Sequence, residues 1–161
     1  MIKVLIKKLD EKVKLPEYKT KGSSGLDLTA FIEEKIVIKP GGNALVPTGI
    51  SIAIPEDTEV QVRPRSGLAA KNSISVLNTP GTIDSDYRGE IKVILFNHGD
   101  KDFIVNNDDR IAQMILMPIL KVDFETVETL PETIRGLGGF GSTGKWKNCC
   151  QKKRSNDILD K

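Results

Sequence analysis

The sequence predicts an all-β domain, because three observations agree. Apolar residues recur at every second position in short stretches, as from Ile50 to Ile54 and from Ile91 to Leu95, and this is the period of half-buried strands. Turn-forming clusters such as Pro40–Gly42 and Asn97–Asp100 separate these stretches, a spacing typical of a sandwich, barrel or jelly roll. Only Ser66–Lys71 predicts a helix, and that helix is short.

Length and charge narrow the class of protein. A chain of 161 residues suits one domain with a substantial core. Its 24 basic and 22 acidic residues give a net charge of +2. Nucleic-acid-binding proteins are typically strongly basic, so we expect no nucleic-acid partner. The N-terminal region has no long apolar run, and we therefore expect no secretory signal and no membrane span.

Cysteine and histidine usage excludes several chemistries. The only cysteines, Cys149 and Cys150, are adjacent in a polar tail, where they make a poor disulfide and an incomplete metal site. We therefore expect a reduced protein, cytoplasmic or otherwise intracellular. The only histidine, His98, excludes mechanisms that need two histidines in one chain, and no Cys/His cluster has zinc-ligand spacing.

The chain is predicted to have three parts: a compact β-domain over residues 1–127, a linker and Gly-rich segment over 128–144, and a basic, disordered tail over 145–161. The Gly-rich stretch RGLGGFGSTG imitates two phosphate-binding motifs but lacks the strand before and the helix after that both require. A flexible linker is one interpretation. A flexible linker, however, does not require Arg135, Phe140, Ser142 and Thr143. Arginine and hydroxyl side chains can bind a phosphate, and a phenylalanine ring can stack on a base.

Polar residues interrupt the strand pattern at several places. Asp27 lies within an apolar alternation, where a structural turn residue is the alternative to a functional one. Two arginines and Ser66 lie within Arg63–Leu68, just before the predicted helix, and could bind an anion. The alternative there is a solvated loop in which Ser66 is the helix N-cap. Gln113 lies in an apolar run, where a buried amide requires partners.

The segment from Asn78 to Glu90 is dense in acids for a β-domain. Asp84 and Asp86 would share one face of an extended segment, where a carboxylate pair could bind a metal or one member could activate water. The alternative is a surface hairpin that carries charge. Taken together, the arginines, hydroxyls, acids and Gly-rich segment suit a nucleoside triphosphate better than a sugar or a peptide.

These segments carry a family resemblance. The stretches SGLDLTA, RPRSGLAAK, GTIDSDYRGEIKVILFN, RIAQMIL and RGLGGFGSTG occur in that order, and with them residues 1–144 resemble the homotrimeric dUTPases, or dUTP diphosphatases. The resemblance implies a β jelly-roll subunit with one short helix and a homotrimer with active sites at the subunit interfaces. It also implies a mobile C-terminal lid from one subunit that closes over a site built by the others.

The resemblance implies Mg²⁺-dependent hydrolysis of dUTP to dUMP and pyrophosphate, which would keep uracil out of DNA and supply dUMP for thymidylate synthesis. Asp84 matches the general base that activates water for attack on the α-phosphorus. Asp27 matches the aspartate that contacts the Mg²⁺ shell through water.

The substrate-binding residues are likewise implied by the resemblance. Phosphate contacts fall to Arg65, Ser66, Gly67 and Gln113. Uracil is read by Asn78 and by the hairpin backbone of Gly81, Thr82 and Ile83. Tyr87 packs against the deoxyribose and leaves no room for a 2′-hydroxyl, and Lys92 lies next to the nucleotide on the same strand. In the lid, Arg135 holds the γ-phosphate, Phe140 stacks on uracil, and the phosphate chain is wrapped by Gly141, Ser142 and Thr143.

Two rival functions stay open from the sequence: a dCTP deaminase-like enzyme of the same fold, and a nucleotide-sensing module without catalysis. The stretch GTIDSDY favours the uracil enzyme. For residues 145–161 the interpretations are a solvated tail, a contact of the basic residues with nucleic acid or an acidic surface, and lipidation of the cysteines.

Overall fold

Short antiparallel strands make up most of the regular secondary structure, as the period of two predicts. The structure is a computed structural model that describes residues 2–139 and residue 142. Its elements in chain order are β1 (Leu5–Lys8), β2 (Leu26–Thr29), β3 (Ile36–Ile38), β4 (Asn43–Pro47), β5 (Ile50–Ala53), β6 (Thr58–Arg63), α1 (Ser66–Asn72), β7 (Ile74–Val76), β8 (Gly81–Ile83), β9 (Lys92–Asn97), β10 (Phe103–Val105) and β11 (Arg110–Pro118).

The strands form several small sheets. One has the order β2-β11-β6-β8 and another the order β4-β9-β7, while β1 pairs with β5 and β3 with β10. Every one of these pairs is antiparallel. Over the described residues the sheets do not close into a single barrel, and the predicted all-β class with one short helix is confirmed.

The apolar side of each strand faces a common core. In β9, Val93 and Leu95 are buried while their neighbours are more exposed, and in β6 the same holds for Val60 and Val62. Each such side chain stabilises the fold by about 1.5–3 kcal/mol. The alternation fails in β5, where Ser51 is buried as well, because both faces of this strand are covered.

The helix α1 lies where the sequence predicts it, but its cap differs. The N-cap residue is Arg65, in extended conformation, and Ser66 is already helical, so the alternative in which Ser66 caps the helix is wrong. The helix ends at Asn72, and the C-cap residue Ser73 has a left-handed backbone (φ 56°) and donates its N–H to the carbonyl of Ala69. Arg65 is therefore held at the junction between an extended segment and a helix.

A buried asparagine joins the end of β9 to two other segments. Asn97 has no exposed surface, yet its amide is satisfied. Its Nδ2 donates to the carbonyls of Ile38 and Lys101, each at 2.8 Å, and its Oδ1 accepts from the N–H of Gly99 at 2.9 Å. These bonds fix the turn between β9 and β10 against β3.

The described residues fall into two compact units, and the second begins at Asp123. Within this second unit, Arg135 Nε donates to the carbonyl of Gly138 at 2.7 Å, and Gly136 adopts a positive φ of 48°. Phe140, Gly141, Thr143 and the tail 145–161 lie outside the described residues. In the described part of the chain, no helix is long and apolar enough to cross a membrane.

We predict that Asn97→Ala lowers the free energy of unfolding by about 3 kcal/mol, because three hydrogen bonds of roughly 1 kcal/mol each are lost. Thermal melting at fixed protein concentration measures this loss. The matched control is Asn43→Ala at an exposed position of β4, which should leave the melting temperature nearly unchanged. Equal melting of the two variants would contradict the role given to Asn97.

Candidate functional site

Strand register brings three polar residues from distant parts of the sequence into one row. On β11, Gln113 lies opposite Asp27 of β2 on one side and opposite Arg63 of β6 on the other. Directly opposed residues of antiparallel strands share a face of the sheet. The polar interruptions noted in the sequence are therefore neighbours in the fold.

Asp27 is the centre of an ion-pair cluster. Its Oδ1 accepts from Arg65 Nε and its Oδ2 from Arg110 Nη1, each at 3.0 Å. Arg65 Nη1 also donates to the backbone carbonyl of Arg110 at 2.9 Å. The Asp27 side chain is only 16% exposed, so these pairs are shielded from water more than surface pairs are. The cluster leaves one positive charge in excess.

The Gln113 amide bonds to a backbone carbonyl on one side and packs against Gly25 on the other. Its Nε2 donates to the carbonyl of Pro64 at 2.9 Å. This carbonyl is the hydrogen-bond partner that we predicted for the amide. A Cβ at Gly25 would lie 2.4 Å from Gln113 Oε1. Only glycine therefore leaves the amide in its place.

A cleft of about 360 Å³ opens beside this cluster, and we call it the arginine cleft. Its lining is Lys19, Ser23, Ser24, Gly25, Asp27, Arg65, Ser66, Gly67, Arg110 and Gln113. Basic groups, hydroxyls and amides predominate, which is the composition that binds a polyanion. The Lys19 ammonium donates a hydrogen bond to Glu17, and this bond and its charge lower the pKa of that carboxyl.

A second cleft, of about 370 Å³, is more apolar, and we call it the tyrosine cleft. Its lining is Leu45, Asn78, Ile83, Tyr87, Glu90, Lys92 and Ile94. None of the described residues lines both clefts. The structure thus separates the sequence-predicted residues into a basic group and a group with an aromatic ring and an amide.

The segment between β8 and β9 differs from two expectations. It is not a hairpin, because β8 pairs with β6 while β9 pairs with β4 and β7; each strand satisfies its backbone groups with a strand distant in sequence. Nor is it extended at Asp84, since the N–H of Tyr87 donates to the Asp84 carbonyl at 3.2 Å and closes a turn. The premise for a shared face of Asp84 and Asp86 is therefore wrong.

The same turn changes the placement of two predicted residues. Tyr87 lies after the turn and before β9, whereas Lys92 is the first residue of β9, so the two do not share a strand. Asp84 is exposed and directly follows β8. Within the described residues, no group of three or more His, Cys, Asp or Glu side chains is arranged to hold a metal ion.

Some site residues were not singled out from the sequence. Arg110 and Lys19 line the arginine cleft, but both look like ordinary solvated charges in the sequence. The signal for Arg110 is its position at the start of the strand that carries Gln113. Neither residue has a local pattern that links it to Asp27, which lies 83 positions from Arg110.

We predict that Gly25→Ala weakens binding of inorganic triphosphate about tenfold, because the new methyl group displaces the Gln113 amide from the arginine cleft. Isothermal titration calorimetry measures the dissociation constant. Gly22→Ala is the matched control, since a Cβ there meets nothing within 4 Å. Unchanged affinity in Gly25→Ala would show that Gln113 does not contribute to anion binding.

Comparison with solved structures identifies the fold. The chain superposes on a mutant of the Staphylococcus bacteriophage 80alpha dUTPase with dUpNHpp, with a TM-score of 0.81 over 89% of this chain and 99% of that chain, at 23% identity. A mutant of the dUTPase from phage phi11 of S. aureus, described with a structural Mg(II) ion, matches with a TM-score of 0.73 over 81% and 99% at 21% identity. The chain therefore has the jelly-roll β fold of these dUTPases.

Sequence comparison is more specific. The deoxyuridine 5′-triphosphate nucleotidohydrolase of Clostridium tetani is 58% identical over 140 residues, covering 87% of this chain and 95% of that protein. The protein of the same name from Rickettsia bellii is 59% identical over 142 residues, covering 88% and 95%. The sequence profile of the dUTPase family matches residues 11–144. With this match and these identities, the chain belongs to the dUTPase family of enzymes.

Proposed function

We propose that the protein is an intracellular, Mg²⁺-dependent enzyme that hydrolyses dUTP to dUMP and pyrophosphate, with Asp84 as the base that activates the attacking water. The observation that carries the proposal is the division of the site into a basic cleft and an aromatic cleft on a chain of the dUTPase family. A nucleoside triphosphate has the same division, with charge at one end and a flat base and sugar at the other.

Base recognition is assigned to β8. This strand forms an edge of its sheet, with β6 on one side and no strand of the described chain on the other. The backbone of Gly81, Thr82 and Ile83 can therefore pair with uracil as a further strand would. Asn78 lies against Gly81, with Nδ2 3.0 Å from where a Cβ would stand. Cytosine presents the wrong donors and acceptors, and the unpaired groups would make its binding costly.

Phosphate binding is assigned to the arginine cleft. Arg65 is held by Asp27 and by the Arg110 carbonyl, so its remaining N–H groups stay directed without loss of rotamer freedom on binding. Ser66, Gly67 and Gln113 line the same cleft. Tyr87 and Lys92 lie in the other cleft, where the ring would pack on the deoxyribose and the ammonium would lie near the nucleotide.

The residues present fit the Mg²⁺ that the family implies. Mg²⁺ keeps several waters and takes phosphate oxygens directly, so one carboxylate near the phosphates is enough. Asp27 faces the arginine cleft, and each of its oxygens has a lone pair left after one guanidinium bond. Asp27 would hold the ion through water, and the ion would neutralise charge on the triphosphate.

The water is assigned to Asp84. The residue is exposed, and its backbone carbonyl accepts a hydrogen bond from the N–H of Tyr87. This bond fixes the position of Asp84 relative to the tyrosine that is proposed to contact the sugar. The carboxylate takes a proton as the water oxygen bonds to the α-phosphorus. The bond from that phosphorus to the oxygen bridging to the β-phosphorus breaks, and pyrophosphate leaves.

The separation of the two clefts favours a site between subunits of a homotrimer. Ile83 pairs with Val60 on β6, and five positions of extended chain separate Val60 from Arg65, roughly 16 Å. A cleft from one subunit and a cleft from another would meet around one nucleotide. The lid residues Arg135, Phe140, Gly141, Ser142 and Thr143, in the segment 128–144, would then close over a site of other subunits.

We predict that the wild-type protein releases pyrophosphate from dUTP with Mg²⁺, and far less from dTTP, dCTP or UTP or without the metal. Asp84→Asn should lower kcat at least a hundredfold, since general-base catalysis contributes about that much. Its dUTP affinity should stay within a few-fold of wild type. Normal turnover by Asp84→Asn would refute the assignment of the base, and ammonia released from dCTP would favour a deaminase.

We predict complementation between two inactive variants, Arg65→Met and Asp84→Asn, in mixed trimers made by co-expression. Arg65 lines the arginine cleft, and Asp84 follows Ile83 of the tyrosine cleft in the chain. Each variant therefore damages one half of the proposed site, and random assembly restores about a quarter of the sites. Pyrophosphate release per subunit measures this fraction. The control pair Arg65→Met with Gln113→Leu damages the same cleft in both chains and should restore nothing. An inactive mixture of folded Arg65→Met and Asp84→Asn chains would place the whole site in one subunit.

A further inference from the structure

Two hydrogen bonds hold Tyr87 in place, one from its side chain and one from its backbone. Its hydroxyl donates to the backbone carbonyl of Glu90 at 3.0 Å, and its N–H donates to the carbonyl of Asp84 at 3.2 Å. Although Tyr87 is 43% exposed, its ring therefore folds back over the two residues between Tyr87 and Glu90. A side chain fastened in this way loses little freedom when a ligand packs on it.

The acceptor of this hydroxyl is itself fixed. The Glu90 carboxylate accepts from the N–H of Gly49 at 2.9 Å and lies 3.5 Å from Lys92 Nζ. The next residue, Ile91, is buried and its N–H donates to the Ile50 carbonyl at 2.9 Å. The carbonyl that receives the hydroxyl thus belongs to a segment anchored in the core.

The ring occupies space that only glycine at position 89 leaves open. A Cβ at Gly89 would lie 2.3 Å from the Tyr87 hydroxyl, 2.6 Å from Cζ and 3.0 Å from Cε2. These are contacts with a rigid ring and not with the end of a flexible chain, so the whole ring would have to move. Its movement would break the bond to Glu90.

We propose that Gly89 is a positioning residue that determines specificity for the sugar. Because Gly89 has no side chain, the Tyr87 hydroxyl can bond to the Glu90 carbonyl, and this bond fixes the ring where it excludes a 2′-hydroxyl. The proposal rests on the proposed hydrolysis of dUTP with Tyr87 against the sugar. A side chain can exclude a 2′-hydroxyl by close contact only if it cannot move away from the sugar. The Tyr87 ring makes this contact, and the space at Gly89 and the bond to the Glu90 carbonyl hold the ring in position.

The test compares kcat/KM for dUTP, UTP and dTTP in the wild-type protein, Gly89→Ala and Tyr87→Phe. In Gly89→Ala the UTP-to-dUTP ratio should rise about tenfold, the size of effect that small changes in a contact surface have on discrimination. The dTTP-to-dUTP ratio should stay at its wild-type value, because β8 and not the ring reads the base. Tyr87→Phe loses the hydroxyl bond without added bulk, so its UTP-to-dUTP ratio should rise by less.

Gly22→Ala is the matched control, since a Cβ there meets nothing within 4 Å, and it should keep both ratios. An unchanged UTP-to-dUTP ratio in Gly89→Ala, or an equal rise in both ratios, would overturn the proposal. If thermal melting shows that Gly89→Ala does not fold, an unchanged ratio in Tyr87→Phe would overturn it instead. A wild-type protein that releases no pyrophosphate from dUTP would refute the proposed function. The ratio of the dissociation constants for UTP and dUTP then tests Gly89 directly, and an unchanged ratio in Gly89→Ala would overturn its role.

Discussion

The pairing of Asp27 with Arg65 and Arg110 is the interaction on which the arginine cleft depends. It joins β2, the start of β11 and the segment after β6 through one largely buried carboxylate. Loss of either arginine would leave one oxygen of this shielded carboxylate without its guanidinium donor, which is costly. Two guanidiniums on one carboxylate also leave a net positive charge at the cleft. The same contacts that hold three segments together therefore supply the field that a triphosphate requires.

The turn from Asp84 to Glu90 has a comparable place on the tyrosine cleft. It carries the proposed base and the ring that would contact the sugar, and a backbone hydrogen bond joins the two residues. The turn is also stabilised by Arg88, whose Nη1 donates to the carbonyls of Ser85 and Tyr87 at 2.7 and 2.8 Å. Rigid spacing between a catalytic group and a positioning group is what lowers the entropic cost of reaching a reactive geometry.

Much of the fold and part of the site could be predicted because the signals are local. The period of two in β6 and β9 indicates strands directly, and Asp27 and Gln113 stand out as polar residues within apolar runs. Pairing partners could not be predicted in this way. The expected hairpin after Asn78 was wrong because β8 pairs with β6, and an unpatterned residue such as Arg110 enters the site only through register.

The sequence by itself determined the all-β class, the short helix and, through five ordered stretches, the dUTPase family, because alternation and motif order are properties of neighbouring residues. Only the tertiary structure decided that Asp27 pairs with two arginines, that β8 is the edge strand of its sheet in the described part of the chain, and that the predicted residues divide between two clefts. The physical reason is that each of these depends on which distant strands satisfy one another's backbone hydrogen bonds, and no local pattern encodes that choice.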